Sequence, residues 1–502
     1  MRTDGGLEVA FQLGEVTASG DRLVFQGTVR MELPVPRQDE RLPYEVEHAV
    51  EDAGQRFKRW AFCQLLEKLD AELVLAGRQG KDGQGVVCRG CRPMTFKTVF
   101  GTVRVRRRRV QHKGDGALEI PSAKAWGTPR QVSITQGLQD AVCDAMLQES
   151  SRKSLRHVEE RAGEPELLAR VTVLNLVHEE GRMLREVARR RAEAVFAADP
   201  QAARCLLPSP PESPPDEEAS PPELPEVEEP GFEPLQGFPG APGAEAVDLE
   251  EPRRVDPDTV MVQADEVVVH AQATTGMKQI KVYTAMVRTA ARSWYFAEEN
   301  AQAVIYLVGA ILAVLGVHQG RRRLLFVNDG ARWIRDWFEA LPVKAKTMVL
   351  CWYHMAKRCL SGLYMACHGR KHREAVYAEV MGHLWEGRVD EALAALTRGR
   401  EEMKCRVALK ELVEYLQNRR PYLPDYRARR EAGLWIASNR VEKLNDWAVS
   451  QRCKGLGMDW TREGVLALAV LESARRNGEL PHWRRTRVLP IWADEASEAQ
   501  AA

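Results

Sequence analysis

The sequence predicts an α/β protein with more than one folding unit. Three strand-like runs follow one another at 259–272, 279–289 and 292–299, and an apolar helix is predicted over 301–317. Two more buried strands are then predicted, RRLLFVND (322–329) and KTMVLCWYH (346–354). Strands that alternate with helices in this way indicate an α/β sheet. Because 502 residues exceed one ordinary core, we expect two to four folding units.

The region before this sheet is predicted to be α+β. Residues 1–45 contain alternating polar and apolar residues and indicate a β-rich extension. Residues 46–130 combine a helical pattern with a basic strand region that turns at Gly101. Residues 131–201 are helical, and within them 150–181 fits either a helix-turn-helix that reads DNA or an ordinary helical hairpin.

Residues 202–258 predict a disordered linker between the two regions. They contain 14 of the 27 prolines, and 203–258 holds 15 acidic residues against three basic ones. Such a segment cannot bury enough apolar surface to fold. Its net charge of −12 leaves +13 on the rest of the chain, a balance that favours a polyanionic partner.

Composition and hydropathy favour a globular protein in a reducing compartment. The chain is 44% hydrophobic and 28% charged, and its ten cysteines follow no regular framework, which suits reduced thiols in the cytosol. Residues 1–20 lack the apolar stretch of a signal peptide. The apolar run 301–317 is just short of a membrane span, and the strands on both sides favour a buried helix. We therefore expect a cytoplasmic protein without a membrane partner.

Three acidic residues stand out as candidates for metal-dependent chemistry. Asp265 closes VMVQAD and Asp329 closes LLFVND, at the strand ends where α/β sheets bind ligands. Glu442 lies on a predicted helix whose Asn445 and Arg452 share its face, so that one face would supply a metal ligand and a phosphate contact. Hard oxygen ligands suit Mg²⁺, and two such ions can activate and stabilise the oxygens of a phosphodiester. The alternative for each aspartate is a turn or helix cap, and for Glu442 a solvated position.

A basic segment and a cysteine pair precede these acids. Residues 89–113 contain nine basic residues and no acid, and we expect Arg104 and the run 106–109 (Arg106, Arg107, Arg108 and Arg109) to contact the DNA backbone. The alternative is a charged edge strand. Cys88 and Cys91 have zinc-knuckle spacing, but a structural zinc needs four ligands, which favours a metal-free remnant over a zinc site.

Several motifs, in order, resemble the DDE transposases of bacterial insertion sequences, specifically the Kra-type group and its Lre-type relatives. The resemblance covers about 45–480 without the linker. It rests on TVFGTVRVRRR (98–108), VQAD (262–265), NDGARWI (328–334), CWYH (351–354), SNRVE (438–442) and QRCKGLGMDW (451–460). In the last motif the matching residues are Arg452, Lys454, Gly457, Met458 and Trp460.

The resemblance implies an RNase H-like catalytic core, divided into 259–365 and 431–480 by an all-α insertion at 366–430, with a C-terminal tail at 481–502. Asp265, Asp329 and Glu442 take the places of the catalytic acids, which the resemblance implies hold two Mg²⁺ or Mn²⁺ ions. It implies hydrolysis at transposon ends and transfer of the 3′-OH into target double-stranded DNA by a homo-oligomer associated with the bacterial nucleoid. Arg452 and Lys454 would contact DNA.

The same resemblance gives Cys351 and His354 a supporting role, because they match a Cys-x-x-His element of related families. His354 is expected to orient the active site or contact DNA; a metal site with Cys359 and a buried structural role are the alternatives. The chain departs from the family pattern at Glu266, where glycine is usual, in the missing second cysteine pair and in the acidic linker. A domesticated or degenerate DNA-binding protein, and a nuclease without strand transfer, are therefore the rival functions.

Overall fold

The computed structural model describes residues 8–19, 22–32, 42–78, 86–113, 116–128, 131–207, 256–398, 403–455, 459–490 and 492. The chain forms two compact units, Met1–Glu179 and Glu180–Ala502. The boundary lies inside a helix and not in the predicted linker. The central part of that linker, 208–255, lies outside the described residues, whereas Pro200–Leu206 form a helix with Ala202 and Leu206 buried.

The first unit combines a hairpin, a long helix, a four-stranded sheet and further helices. Its sheet has the order β5-β4-β3-β6, in which β3 and β4 are antiparallel and β6 runs parallel to β3. The elements are β1 (Glu8–Ser19), β2 (Arg22–Glu32), α1 (Leu42–Arg78), β3 (Val86–Thr98), β4 (Gly101–His112), β5 (Leu118–Glu119), α2 (Pro121–Ala125), β6 (Val132–Ile134), α3 (Gln136–Gln148), α4 (Ser151–Ala162) and α5 (Arg170–Ala198), which continues into the second unit.

The second unit is built on a five-stranded mixed sheet with the order β11-β10-β7-β8-β9. Neighbours β7, β8 and β9 are antiparallel, while β10 runs parallel to both β7 and β11. Its first elements are α6 (Pro200–Leu206), β7 (Thr259–His270), β8 (Gln279–Arg288), β9 (Ser293–Glu298), α7 (Ala301–Val314), β10 (Arg323–Asn328), α8 (Arg332–Ala340) and β11 (Lys346–Leu350).

Helices form the rest of the second unit. They are α9 (Trp352–Ala366), α10 (Arg370–Trp385), α11 (Val389–Arg398), α12 (Arg406–Arg419), α13 (Tyr426–Glu431), α14 (Asn439–Asn445), α15 (Gln451–Cys453), α16 (Arg462–Arg476) and α17 (Leu480–Thr486). A π-helical turn, Asp446–Ser450, joins α14 to α15. Helices α10 to α13 occupy the segment predicted as an insertion.

The central strand β7 is covered on both faces. Its residues from Thr259 to Ala264 are buried without alternation, which is typical of a strand inside an α/β core. Helix α14 contacts β7 and β8, and α7 contacts β8 and β9. Helix α7 is apolar because most of its residues are buried, and within the described part of the chain no helix has the length and apolar character needed to cross a membrane.

One predicted strand ends earlier than expected. β11 stops at Leu350, and Trp352 to His354 already form the first turn of α9. The N–H of Cys351 donates to the Asn328 carbonyl at 2.7 Å, after which the N–H of Trp352 donates to Ile436 at 2.9 Å instead of to β10. A short apolar run does not distinguish a strand from a buried helical turn, so the sequence pattern extended the strand too far.

Gly181 on α5 allows close contact with α16, and its replacement should destabilise the second unit. A Cβ atom at Gly181 would lie 2.5 Å from the Cα of Ala467. We expect Gly181→Ala to lower the free energy of unfolding by about 1–3 kcal/mol, because the backbone of α16 must shift. Urea unfolding of the purified chain measures the change.

Gly382 on α10 provides the matched control. A Cβ atom there meets nothing within 4 Å. Gly382→Ala should therefore raise the free energy of unfolding by about 0.5–1 kcal/mol, through helix propensity alone. Equal stability changes in the two variants would contradict the close contact at Gly181.

Candidate active site

The two predicted aspartates lie where β7 and β10 separate. The strands pair in parallel over four residues each. Beyond that pairing the side chain of Asn328 continues the connection, because its Oδ1 accepts a hydrogen bond from the N–H of Ala264 at 2.5 Å. The next residues, Asp265 and Asp329, are close enough for the charge of Asp329 to raise the pKa of Asp265.

Strand β7 continues past Asp265, which the sequence pattern placed at the strand end. It pairs with β8 as far as His270. Strand alternation separates Asp265 from Glu266, and Glu266 accepts a hydrogen bond from the ammonium of Lys281 at 3.0 Å. Asp265 instead accepts one from Asn445. The two neighbouring acids therefore have different partners.

A tight turn holds Asp329. Its Oδ1 accepts a hydrogen bond from the N–H of Ala331 at 2.9 Å, which fixes the carboxylate against its own turn. Gly330 between them has φ +78°, and a Cβ atom there would lie 2.6 Å from the Cδ1 of Leu350. Both the backbone angle and the available space therefore require glycine at 330.

A buried glutamine joins β7 to the helix that carries Glu442. The Nε2 of Gln263 donates to the carbonyl of Ala437, and its Oε1 accepts from the N–H of Val441, both at 3.1 Å. Val441 is in the first turn of α14, where backbone N–H groups depend on partners other than an i−4 carbonyl, and its N–H donates to the Ser438 carbonyl at 3.1 Å as well as to Gln263. Gln263, which is fully buried, supplies one of those partners from the sheet. Its side chain thus sets the position of α14 relative to Asp265.

Asn445, one turn after Glu442, binds the first aspartate directly. Its Nδ2 donates to Asp265 Oδ2 at 2.6 Å, and its Oδ1 accepts from the hydroxyl of Thr284 on β8. The π-helical turn begins at the next residue, a feature frequent at functional sites. This turn changes the helical register, so the face predicted to hold both Glu442 and Arg452 does not continue to Arg452.

Glu442 lies beside the Cys-x-x-His element. Its Oε1 accepts a hydrogen bond from the hydroxyl of Ser438 at 2.8 Å and is 3.6 Å from Nδ1 of His354. The sulfur of Cys351 accepts from the N–H of Ser438 at 3.4 Å. Cys351, His354 and Glu442 thus come together although the sequence separates them by about 90 residues.

Burial and like charges shape the electrostatics of the site. Burial raises the pKa of Asp265 to about 7, and the charge of Asp329 adds to this effect. Burial is also the main cause that raises the pKa of Asp329. The neighbouring Cys351 side chain, helped by the charges of Glu442 and Asp329, raises the pKa of His354 to about 9. The pocket therefore disfavours two carboxylate charges in the absence of a cation.

Basic and aromatic side chains of the helical segment reach the same place. The Nη2 of Arg419 donates to the carbonyl of Gly330 at 3.3 Å. The guanidinium carbons of Arg419 and Arg358 lie 4.1 and 5.8 Å from the ring centre of Tyr415. We call Arg358, Tyr415 and Arg419 the arginine–tyrosine cluster. It places positive charge next to Asp329.

The predicted basic strand has two kinds of arginine. Arg104, Arg106 and Arg109 are exposed on β4, whereas Arg107 is fully buried. Arg107 donates to the hydroxyl and carbonyl of Thr128 and lies near two aromatic rings, so the prediction that it contacts DNA does not fit its position. Arg108 is half-buried and bonds to Asp70. Strand alternation from Val103 and Val105 places Arg107 on the buried face, a signal that sequence reasoning missed because it treated the four arginines as one basic run.

Two residues of the last motif also differ in exposure. Arg452 is buried beside the ring of Trp460, 5.1 Å from its centre, and its predicted DNA contact does not fit this position. Lys454 is exposed, and Gly457 and Met458 lie outside the described residues. Cys88 is partly exposed and Cys91 exposed, and no third histidine, cysteine or acid joins them among the residues that the structure describes.

Sequence reasoning missed most of the polar residues that support the acids. Gln263, Thr284, Asn328 and Ser438 are each buried and bonded into the site. One signal could have identified Gln263 and Asn328, because each is a polar residue inside an otherwise apolar strand. Arg358 and Arg419 carry no such signal, since basic residues are common throughout the helical segment.

Replacing Gln263 should loosen the first turn of α14. Gln263→Leu conserves volume but removes the Gln263 partner of the buried Ala437 carbonyl and leaves the N–H of Val441 with its bond to the Ser438 carbonyl alone. We expect the free energy of unfolding to fall by about 1–3 kcal/mol and hydrogen exchange at Val441 to accelerate. The exposed Gln417→Leu is the control and should change stability by less than about 0.5 kcal/mol. Unchanged exchange at Val441 in Gln263→Leu would rule out this bridge.

Comparison with known proteins adds one match. A family model described as an uncharacterised protein family, UPF0236, matches residues 39–202. The matched part runs from α1 to the start of α6, covers less than half of the chain and includes none of the three acids. No curated protein matches the chain.

Proposed function

We propose that this chain is a DDE-type DNA transposase that hydrolyses phosphodiesters at transposon ends and transfers the 3′-OH into target DNA. The observation that carries the proposal is the convergence of Asp265, Asp329 and Glu442, which we call the acid trio. Asp265 is close enough to both other acids for each to raise its pKa. Asp329 lies 64 residues after Asp265 and 113 residues before Glu442. The stability of the fold does not require acids so far apart in sequence to share a partly buried pocket.

The architecture of the second unit supports an RNase H-like core. Three antiparallel strands come first, and the two later strands extend the sheet in parallel beside the first one. The first acid is on the first strand, the second follows the fourth strand, and the third is on a late helix. The family resemblance implies this same distribution of acids.

The three acids have the donor atoms that one or two Mg²⁺ or Mn²⁺ ions need, although their oxygens do not all lie within 4.8 Å of one another. Asp265, Asp329 and Glu442 offer the hard oxygen atoms that these ions prefer. Burial of adjacent carboxylates raises the pKa of Asp265, which is an unfavourable arrangement that a divalent cation would stabilise. When bound between such acids, divalent ions activate the attacking oxygen and stabilise the leaving oxygen of a phosphodiester.

The protein's own side chains hold the acids in place. Asn445 binds one oxygen of Asp265, the N–H of Ala331 binds one oxygen of Asp329, and Ser438 binds one oxygen of Glu442. Asp265 accepts a second hydrogen bond at its other oxygen, from the N–H of Glu266 at 2.8 Å, so both of its oxygens are held in place. Fixed carboxylates avoid reorganisation during the reaction, which is the usual basis of electrostatic catalysis.

Positive side chains near the acids suit the DNA backbone. The arginine–tyrosine cluster lies beside Asp329, where a phosphate flanking the reacting bond would pass. Exposed Arg104, Arg106, Arg109 and Lys454 offer further phosphate contacts on their own units. Binding to DNA through these residues does not need the acids, so a non-catalytic DNA-binding protein is the rival function.

Replacing one acid distinguishes the two functions. Asp329→Asn keeps the hydrogen bond from Ala331, so the turn should survive while the negative charge is lost. With the element's own ends, a supercoiled target plasmid and Mg²⁺, we expect cleavage to fall at least roughly a hundredfold and DNA binding to persist. Asp336→Asn, an exposed acid on α8, should retain activity.

The products decide among the remaining outcomes. Full activity of Asp329→Asn would remove this residue from the trio. Binding without cleavage by the unaltered chain would favour the non-catalytic function. Linear cut ends without joined products would indicate a nuclease that lacks strand transfer.

Removing the exposed arginines of β4 should weaken DNA binding in a salt-dependent way. Arg104→Ala/Arg106→Ala should lower affinity for double-stranded DNA and reduce the slope of log affinity against log salt by roughly 0.9 for each lost phosphate contact. Fluorescence anisotropy at several salt concentrations measures this. Arg388→Ala/Arg398→Ala removes the same charge from exposed ion pairs and is the control. Equal losses in both variants would indicate a net-charge effect only.

A further inference from the structure

Three side chains beside the proposed magnesium site form a different donor set. The sulfur of Cys351, a ring nitrogen of His354 and a carboxylate oxygen of Glu442 all lie within 4.8 Å of one another. Within the part of the chain that the structure describes, no other three histidine, cysteine or acidic side chains bring their donor atoms this close together. Of the three, only Glu442 belongs to the acid trio.

The chemistry of this donor set favours zinc over magnesium. Mg²⁺ binds oxygen and gains little from a thiol or an imidazole. Thiolate and imidazole are the usual ligands of Zn²⁺, and three protein ligands with one open position are typical of its reactive sites. Cys351 and His354 therefore place sulfur and nitrogen donors in a pocket whose other metal ligands would be carboxylate oxygens.

The distances suit one tetrahedral ion after small side-chain rotations. Bonds of about 2.3 Å to sulfur and 2.0–2.1 Å to nitrogen separate two ligand atoms by about 3.5 Å. Nδ1 of His354 and Oε1 of Glu442 are already 3.6 Å apart. The spacing of Cys351 and His354, three residues apart around the start of α9, brings both side chains to one face of the helix.

The ligand atoms are held and accessible in the way a metal site requires. Cys351 is fully buried, and its backbone is fixed by the hydrogen bond to Asn328. His354 and Glu442 are 36% and 42% exposed, so an ion can enter from solvent. Nδ1 of His354 is buried and has no hydrogen-bond partner within the described structure. This nitrogen faces Oε1 of Glu442 at ion-pair distance, and an ion between them would bind both atoms.

We propose that Cys351, His354 and Glu442 form a site for one Zn²⁺ ion, with water in the fourth position. Binding needs the thiolate and a neutral imidazole, so the Cys351 thiol and the protonated His354 ring each give a proton to solvent as the Zn–S and Zn–N bonds form, and no oxidation or reduction takes place. The zinc site and the acid trio share Glu442. Occupation by Zn²⁺ therefore withdraws Glu442 from Asp265 and Asp329 and inhibits the magnesium-dependent reaction.

Cobalt titration of the full chain tests the site without an activity assay. Co²⁺ replaces Zn²⁺ in such sites, and bonding to a thiolate produces a charge-transfer absorption that oxygen ligands do not. We expect this absorption to saturate at one equivalent and to disappear when Zn²⁺ is added. Cys351→Ser should abolish the absorption, and His354→Gln should weaken Co²⁺ affinity by at least about tenfold.

The other cysteine pair provides the control. Cys88→Ser/Cys91→Ser removes the alternative thiol site and should leave the absorption unchanged. The proposal fails if this double variant loses the absorption, or if Cys351→Ser, with an unchanged near-ultraviolet circular dichroism spectrum, retains it. His354→Gln is the second test should Cys351→Ser fold poorly, because His354 is partly exposed; unchanged Co²⁺ affinity in this variant would also overturn the proposal.

Inhibition rests on the proposed function and is measured separately. Micromolar Zn²⁺ added to the Mg²⁺ cleavage reaction should stop cleavage, and a chelator selective for zinc should restore it. No cleavage in Mg²⁺ alone would contradict the transposase and leave the cobalt result standing. Cleavage that continues with Zn²⁺ bound would instead show that the ion does not withdraw Glu442.

Discussion

The side-chain amide of Gln263 connects the central strand to the helix of Glu442, and the geometry of the site depends on it. Helix α14 is short and packs through buried Val441 and Leu444, and Gln263 adds directional bonds at its first turn. Gln263 satisfies a backbone acceptor before the helix and a donor inside it, and both bonds are shielded from water. Two residues further along β7, Asp265 faces the same helix and receives the amide of Asn445. Strand and helix are thus joined twice by side-chain amides.

The hydrogen bonds around the site partly offset the unfavourable free energy of burying neighbouring carboxylates. Bringing carboxylates together in a buried pocket disfavours their charged forms, as the raised pKa of Asp265 indicates. Hydrogen bonds from Asn445 and from the N–H of Ala331 stabilise the charges in part. A protein that only needed a stable sheet would gain by replacing these acids with apolar residues, since burying charge is expensive. The proposed function requires this arrangement, because the cations that the acids would bind stabilise their charges.

Much of the architecture could be predicted from pattern alone, whereas the supporting residues could not. Uninterrupted apolar runs located β7, β8 and β10, and a resemblance of motifs selected Asp265, Asp329 and Glu442. The end of β11 was misplaced because the apolar run continues into α9 across Cys351. Arg107 and Arg452 were predicted to meet DNA, but both are buried beside aromatic rings. Basic composition indicates charge and does not indicate which side of a strand or helix is covered.

The sequence by itself determined the α/β class, the order of strands and helices along the chain, and the residue types available for chemistry. These properties follow from local periodicity, which each segment carries independently of its neighbours. Only the tertiary structure decided which strands became neighbours, that Gln263 supports α14, and that Cys351 and His354 meet Glu442. Such contacts join residues about 90 to 180 positions apart. They depend on how buried polar groups find partners when the sheet and helices assemble, and no local pattern encodes that pairing.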